Sequence, residues 1–216
     1  MRPRFLALFT VLCLCALGAG VSDAAPIIYS FEAPGFLLGQ TTPLLNKPPD
    51  AAGPPTFTTS FTDAVDPNGY QITNIPENGL MVGQSLFAPI VTSPLTLTFN
   101  TPVTQLSVDF AIDIPNGFPP GFLQLMTPSG TVDQPSSNVG GGNGFQGGTL
   151  DFITASPFTT ATLQGFFAPG GATQIDIDNL NLTPAPVAEP STLGLLGLGL
   201  AVLAGWRRKR RMPPAI

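Results

Sequence analysis

Eleven carboxylates hold most of the acid–base and metal-binding capacity in the middle of this 216-residue chain. Between Ala25 and Val187 they are Glu32, Asp50, Asp63, Asp66, Glu77, Asp109, Asp113, Asp133, Asp151, Asp176 and Asp178. There is no His, and the only thiols, Cys13 and Cys15, lie in an apolar run near the N-terminus. A Ser-His-Asp triad, a Cys–His pair and an ordinary zinc site are therefore excluded. Carboxylate chemistry remains, and glycoside hydrolysis is its demanding case, needing two carboxyls about 5–9.5 Å apart across the scissile bond. Asp109 and Asp113 lie about 13 Å apart if they share an extended strand, too far for direct pairing. Asp176 and Asp178 would be about 6.6 Å apart. Neighbours on one strand face the same way, however, and do not straddle a sugar bond. The acids read first as a solvated face, and the chain is expected to be non-enzymatic. Calcium, which takes six to eight oxygen ligands, is a better use for them than catalysis.

The charge distribution narrows the partners. Lys47 is the one cation between Ala25 and Val187, so the middle carries 1 − 11 = −10. Positive charge sits at the ends, in Arg2 and Arg4 and in the basic run Arg207, Arg208, Lys209, Arg210 and Arg211. An acidic body has no electrostatic footprint for phosphates, which excludes nucleic acid as a partner.

The termini read as addresses. Residues 1–24 have the form of a signal peptide: MRPR is a positive start, FLALFTVLCLCALGAG an apolar centre, and Ser22-Asp23-Ala24 a small-x-small cleavage site. Cleavage there removes both cysteines. Near the other end, Pro190 to Trp206 is an apolar stretch, about 25 Å long as a helix. That is somewhat short of a hydrocarbon core of about 30 Å, but Trp206 can sit at the interface and the arginines can snorkel. The basic run at 207–211 should stay cytoplasmic.

Ala188-Glu189-Pro190-Ser191, the apolar helix and the Arg-rich end together resemble the PEP-CTERM sorting signal. Ala188 stands where that family usually has its first Pro. The resemblance covers residues 187–211, leaving 212–216 as a short end. It implies export, a membrane-held intermediate, and processing by an exosortase in a Gram-negative bacterium that makes exopolysaccharide.

Between the addresses lie residues 25–186, long enough for one core. Gly and Pro are abundant, 24 and 25 in the whole chain, but fourteen of the sixteen Phe fall in this stretch. Disordered chains are poor in aromatics, so a folded, loop-rich domain is expected. Leu106, Val108, Phe110, Ile112 and Ile114 alternate with Ser107, Asp109, Ala111 and Asp113, the pattern of a half-buried strand. Leu95, Leu97 and Phe99 alternate likewise, and Asn100-Thr101-Pro102 predicts a hairpin-like connection between the two runs. Further strands are expected at Ile27–Phe31, Phe122–Met126, Leu150–Ile153, Thr159–Phe166 and Thr173–Leu182. Long surface loops are expected at Leu44–Thr56 and Asp133–Gly148. The fold class is all-β, a single β-sandwich or jelly roll between the signal peptide and the transmembrane sorting helix.

IIYSFEAPG at the start of the body and QIDIDNLNL at its end resemble the first and last strands of jelly-roll carbohydrate-binding modules. That resemblance implies a structural calcium held by Glu32 and Asp178, with Asn179 as an extra oxygen donor. Sugar sites often stack a ligand on Trp or Tyr, and here the only Trp, Trp206, is in the sorting tail. Tyr29 is placed in a strand, Tyr70 after a turn, and Phe118 and Phe122 beside a Pro-Pro-Gly loop. The reading preferred from sequence is a secreted structural or interaction module of an exopolysaccharide or biofilm matrix. The alternative is a calcium-stabilised, lectin-like module.

Overall fold

The computed structural model describes residues 25–50, 56–63, 69–74, 81–88, 94–114, 119–137, 144–166 and 174–186. The segment expected to be a signal peptide, the sorting motif with its basic end, and Phe118 lie outside the described residues. Ala24–Ala185 forms one compact unit. Its elements are β1 (Ile27–Tyr29), β2 (Leu44–Lys47), β3 (Thr59–Asp63), β4 (Gln71–Thr73), β5 (Ser85–Ala88), β6 (Leu95–Asp113), β7 (Phe122–Thr127), β8 (Gly130–Pro135), β9 (Phe145–Phe166) and β10 (Ile175–Pro184). All the strand pairings are antiparallel, and the described residues contain no helix.

Two long strands organise the sandwich. The first part of β6 pairs with β3 and with the second part of β9, which continues to β7 and β8. The second part of β6 pairs with β10 and with the first part of β9. The outer side of β10 then carries β5 and β1 in succession, and β5 carries β4. Register shifts between Thr98 and Gln105 mark where β6 passes from one layer to the other. Phe99 meets Phe158 edge-on there, with ring centroids 6.1 Å apart.

The layers close face to face. Tyr29 of β1 packs edge-on against Phe61 of β3 at 5.7 Å, and Phe31 and Phe36 complete that aromatic cluster. At the other end a Cβ on Gly165 would lie 3.2 Å from the Ile175 side chain, so the small residue lets β9 approach β10. The inward set of β6, from Leu95 through Ile114, is buried as its alternation predicts. Each such Leu, Ile or Phe contributes about 1.5–3 kcal/mol of transfer free energy.

Four expectations are corrected. Asn100-Thr101-Pro102 does not make a hairpin; β6 runs straight through it. Asn100 instead bridges laterally, accepting from Thr58 N at 2.9 Å and donating to Thr56 O at 2.7 Å. Leu150–Ile153 and Thr159–Phe166 are parts of one strand, β9. The two expected surface loops contain β2 and β8, together with the start of β9. Tyr70 is not a surface turn residue but is buried, like Tyr29.

Candidate functional site

The sheet pleat sorts the carboxylates onto one face. Along β6 the inward residues are Val108, Phe110 and Ile112, so Asp109, Ala111 and Asp113 point outward. Cross-strand register places Asp178 opposite Asp109, Asp176 opposite Ala111, and Thr149 opposite Asp109 on the other side. The outer face of this layer therefore carries Asp109, Asp113, Asp151, Asp176 and Asp178. It is only partly solvated. Met81, Ala111 and Phe145 form a small second apolar cluster with Phe87 against it, and Asp176 and Asp178 are buried at 0% and 2% exposure. This corrects the expectation that both acids lie on a solvated face.

Glu32 reaches the same region from the end of β1. Phe31, just before it, has φ 59°, and Asn179, just after Asp178, has φ 49°. Left-handed backbone is uncommon for non-glycine residues, least so for Asn, so each carboxylate adjoins a residue in an unusual conformation. At Asn179 the cause is the register shift between Asp178 and Asn181. Around Glu32, Asp50 accepts from Ser30 N at 2.8 Å and from Glu32 N at 2.7 Å, tying the segment after β2 to the end of β1. Glu32 Oε1 accepts from Gln84 N at 2.7 Å. Its carboxylate lies where a Cβ on Gly83 would be, and Gly83 has φ +92°, so that turn is shaped around the acid.

Asp109 is well supplied, accepting from Thr149 Oγ1 at 2.6 Å and Asn179 Nδ2 at 3.0 Å. Asp178 accepts from Asn179 N at 2.7 Å. Burial nevertheless pushes the Asp178 carboxyl up to about 7; the Asn179 amide opposes this, and the charges of Asp176, Asp109 and Glu32 add to it. Ser85 lies on the same outward side of β5, buried, and its Oγ has no hydrogen-bond partner. Lys47 is committed elsewhere, donating to Gly35 O and Gln40 Oε1 at 3.0 Å each and lying 5.2 Å from the Phe36 ring centroid.

Of the residues chosen from sequence, Glu32 and Asp178 come within electrostatic reach of each other, and Asn179 turns its amide towards Asp109. Sequence reasoning set Asp109 aside, although the register makes it the cross-strand neighbour of Asp178. The donor set is all oxygen, as calcium requires. Among the described residues no three acidic side chains converge closely enough to hold a metal ion. An ion bound here would therefore draw its remaining ligands from backbone carbonyls and water.

The opposite layer is different in kind. Phe122 and Phe166, paired across β7 and β9, stack with centroids 5.2 Å apart and planes inclined by 22°. Tyr29 and Tyr70 are unavailable for stacking on a ligand. Tyr29 donates to Lys47 O at 3.0 Å, and burial raises both hydroxyl pKa values, Tyr29's to about 12.

Residues 186–211 match the PEP-CTERM protein-sorting motif. No curated protein matches the chain. Among solved structures, the chain is similar to the K1 cleaved adhesin domain of Lys-gingipain from Porphyromonas gingivalis W83. There the identity is 14%, with 74% of this chain and 99% of that one covered and a TM-score of 0.43. It is also similar to the CBM22-1 xylan-binding domain of Xyn10C from Paenibacillus barcinonensis. That match has 11% identity, 78% and 100% coverage and a TM-score of 0.39. A mutant of the family 29 module CBM29-2 complexed with mannohexaose matches at 12% identity, 74% and 92% coverage and a TM-score of 0.33. The sorting motif makes this an exported protein, processed by an exosortase through a membrane-anchored intermediate.

Proposed function

We propose that this protein is a non-enzymatic structural or interaction module of an extracellular polysaccharide matrix, delivered to the cell surface or the matrix by its sorting signal. The observation that carries the reading is the sorting motif at residues 186–211, which follows directly on a β-sandwich whose charge excludes nucleic acid. The body ends at Ala185, so processing near the motif would release or re-anchor the whole sandwich intact. Intact mass of the protein from an exosortase-bearing host tests the delivery step. The expected species has lost Trp206 and the basic run, and a mass that retains them sinks it. Fractionation of the same culture tests the destination: the processed protein should co-purify with the exopolysaccharide, and recovery only as free protein would count against a matrix role.

A second reading, a calcium-stabilised carbohydrate-binding module, is favoured by the carboxylates of Asp176, Asp109 and Glu32 lying within electrostatic reach of Asp178. Glu32 and Asp178 would hold the ion, with Asn179 and Asp109 beside them, and it would neutralise a patch that has no cation of its own. A melting temperature that rises with calcium and falls on chelation is expected on this reading. A temperature indifferent to both removes it.

A further inference from the structure

The two outer faces of the sandwich differ in charge, and this points to what the less charged one meets. On the layer of β10, alternation turns five carboxylates outward. On the layer of β8, β7, β9, β6 and β3, the outward residues are Phe122, Gln124 and Met126 of β7, with Thr162, Gln164 and Phe166 of β9. Thr96 of β6 and Thr62 of β3 extend the Met126–Thr162 row. The alternate residues Leu123, Leu125, Ala161, Leu163, Leu95 and Leu97 are buried, which fixes the direction of the first set. Asp133 of β8 turns outward opposite Gln124, and its Oδ1 accepts from Gln124 Nε2 at 2.8 Å, which fixes the orientation of that amide.

We propose that this face binds an uncharged, extended polysaccharide along the β7–β9 strands. The inference rests on the matrix reading above and names its ligand class. Three features carry it. The stacked Phe122–Phe166 pair is half-buried, leaving aromatic surface for the apolar side of a sugar ring. Next to it, Gln124 and Gln164 form a cross-strand pair of amides, each able to donate and accept. The hydroxyl row Thr162–Thr96–Thr62 follows one pleat further on, so the rows are spaced about 6.7 Å apart along the strands. The face holds no cation, and the body carries −10 overall. An anionic polymer would meet repulsion with nothing to offset it. A neutral chain exchanges water hydrogen bonds for amide and hydroxyl ones at no electrostatic cost.

Affinity electrophoresis of the exported protein tests this, with gels containing dextran, hydroxyethyl cellulose, alginate or the host's own exopolysaccharide. Retardation by a neutral polymer and none by alginate is expected, insensitive to salt because no charge pair is involved. Phe166→Ala should weaken binding about tenfold, the size of one aromatic contact. Gln164→Ala, which removes only an amide from the surface, should also weaken it while leaving the melting temperature unchanged. Asp151→Asn on the acidic layer should leave binding intact. Retardation by the host polymer that survives Phe166→Ala and Gln164→Ala, or that is lost in Asp151→Asn, overturns the face assignment while leaving the matrix reading standing. Retardation by alginate in preference to the neutral gels overturns the ligand class. Absence of retardation in every gel sinks the interaction reading itself, and this proposal with it.

Discussion

Asp178→Asn should stabilise the protein at neutral and alkaline pH while changing little in acid. Burial, with Asp176, Asp109 and Glu32 nearby, raises the Asp178 carboxyl from an ordinary 3.8 to about 7. A raised carboxylate pKa means that the native state resists the charged form. The resulting stability is fully present below about pH 4 and is lost as pH rises through 7. A gap of roughly three units, at 1.36 kcal/mol each, gives a ceiling of about 4 kcal/mol. Solvent screening at the edge of the cluster brings the expected loss nearer 2 kcal/mol. Asparagine keeps the shape and can still accept from the Asn179 amide through its Oδ1, so the substitution removes the charge and little else.

The assay is urea denaturation of wild type and variant from pH 4 to pH 8 in the presence of a chelator. The variant's advantage should be near zero at pH 4 and grow to about 2 kcal/mol by pH 8, most of it gained between pH 5 and 7. Carboxylates common to both proteins cancel in the difference. On the calcium-binding reading, calcium in excess should then raise the wild type towards the variant, because an ion that binds only the folded state adds stability by mass action. A difference that stays flat with pH, or a variant less stable than wild type at pH 8, refutes the electrostatic account of this cluster.

Three further outcomes are expected. Gly83→Ala places a Cβ against the Glu32 carboxylate at a φ of +92°; thermal unfolding should show a loss of about 1–3 kcal/mol. Phe61→Ala empties the centre of the aromatic cluster formed by Tyr29, Phe31 and Phe36 and should cost about 3–5 kcal/mol in chemical denaturation. Replacing Glu189 and Pro190 by Ala should leave an unprocessed chain in the membrane fraction, read by intact mass, with the sandwich still folded by circular dichroism.

What the sequence disclosed follows from what a period-2 pattern encodes. Alternation in Leu106–Ile114 states which residues share a face, and the face it assigns to the core is the one that is buried. It does not state whether the other face is covered. Asp176 and Asp178 therefore looked solvated, although Met81, Phe87 and Phe145 close over that side. Turn signals are local in the same way. Asn100-Thr101-Pro102 has turn chemistry, yet a strand that changes layers also needs irregular backbone, and only the partners of β6 decide between the two. Gly147 and Gly148 looked like loop, but a Cβ on Gly148 would come within 3.1 Å of the Phe110 ring, so glycine here serves close packing inside a strand. β2, β3, β4, β5 and β8 were missed because each holds no more than two large apolar residues, too few to show an alternation, whereas β1, no longer than β4, holds three.

The candidate site was legible as a set of residue types but not as an arrangement. Glu32 and Asp178 are 146 positions apart in the chain, and what joins them is the pairing of the first strand with the last. Asp109 enters through the pairing of β10 with β6, and Gln84 through that of β10 with β5 followed by the turn at Gly83. Three segments distant in sequence thus bring the carboxylates of Glu32, Asp109 and Asp178 to one patch, with Gln84 giving its backbone N–H to Glu32, while Lys47, the single cation of the body, is held at Gly35 and Gln40. The cost of that arrangement falls on Asp178, whose titration reports whether the patch is bare, protonated or neutralised by a bound ion. On the other layer the same pairing rules gather Phe122, Phe166, Gln124 and Gln164, with Asp133 opposite Gln124. On the proposal made above, one sandwich has an acidic side and a side with few charges that meets a sugar chain. Substitutions confined to one layer should leave the other's behaviour unchanged.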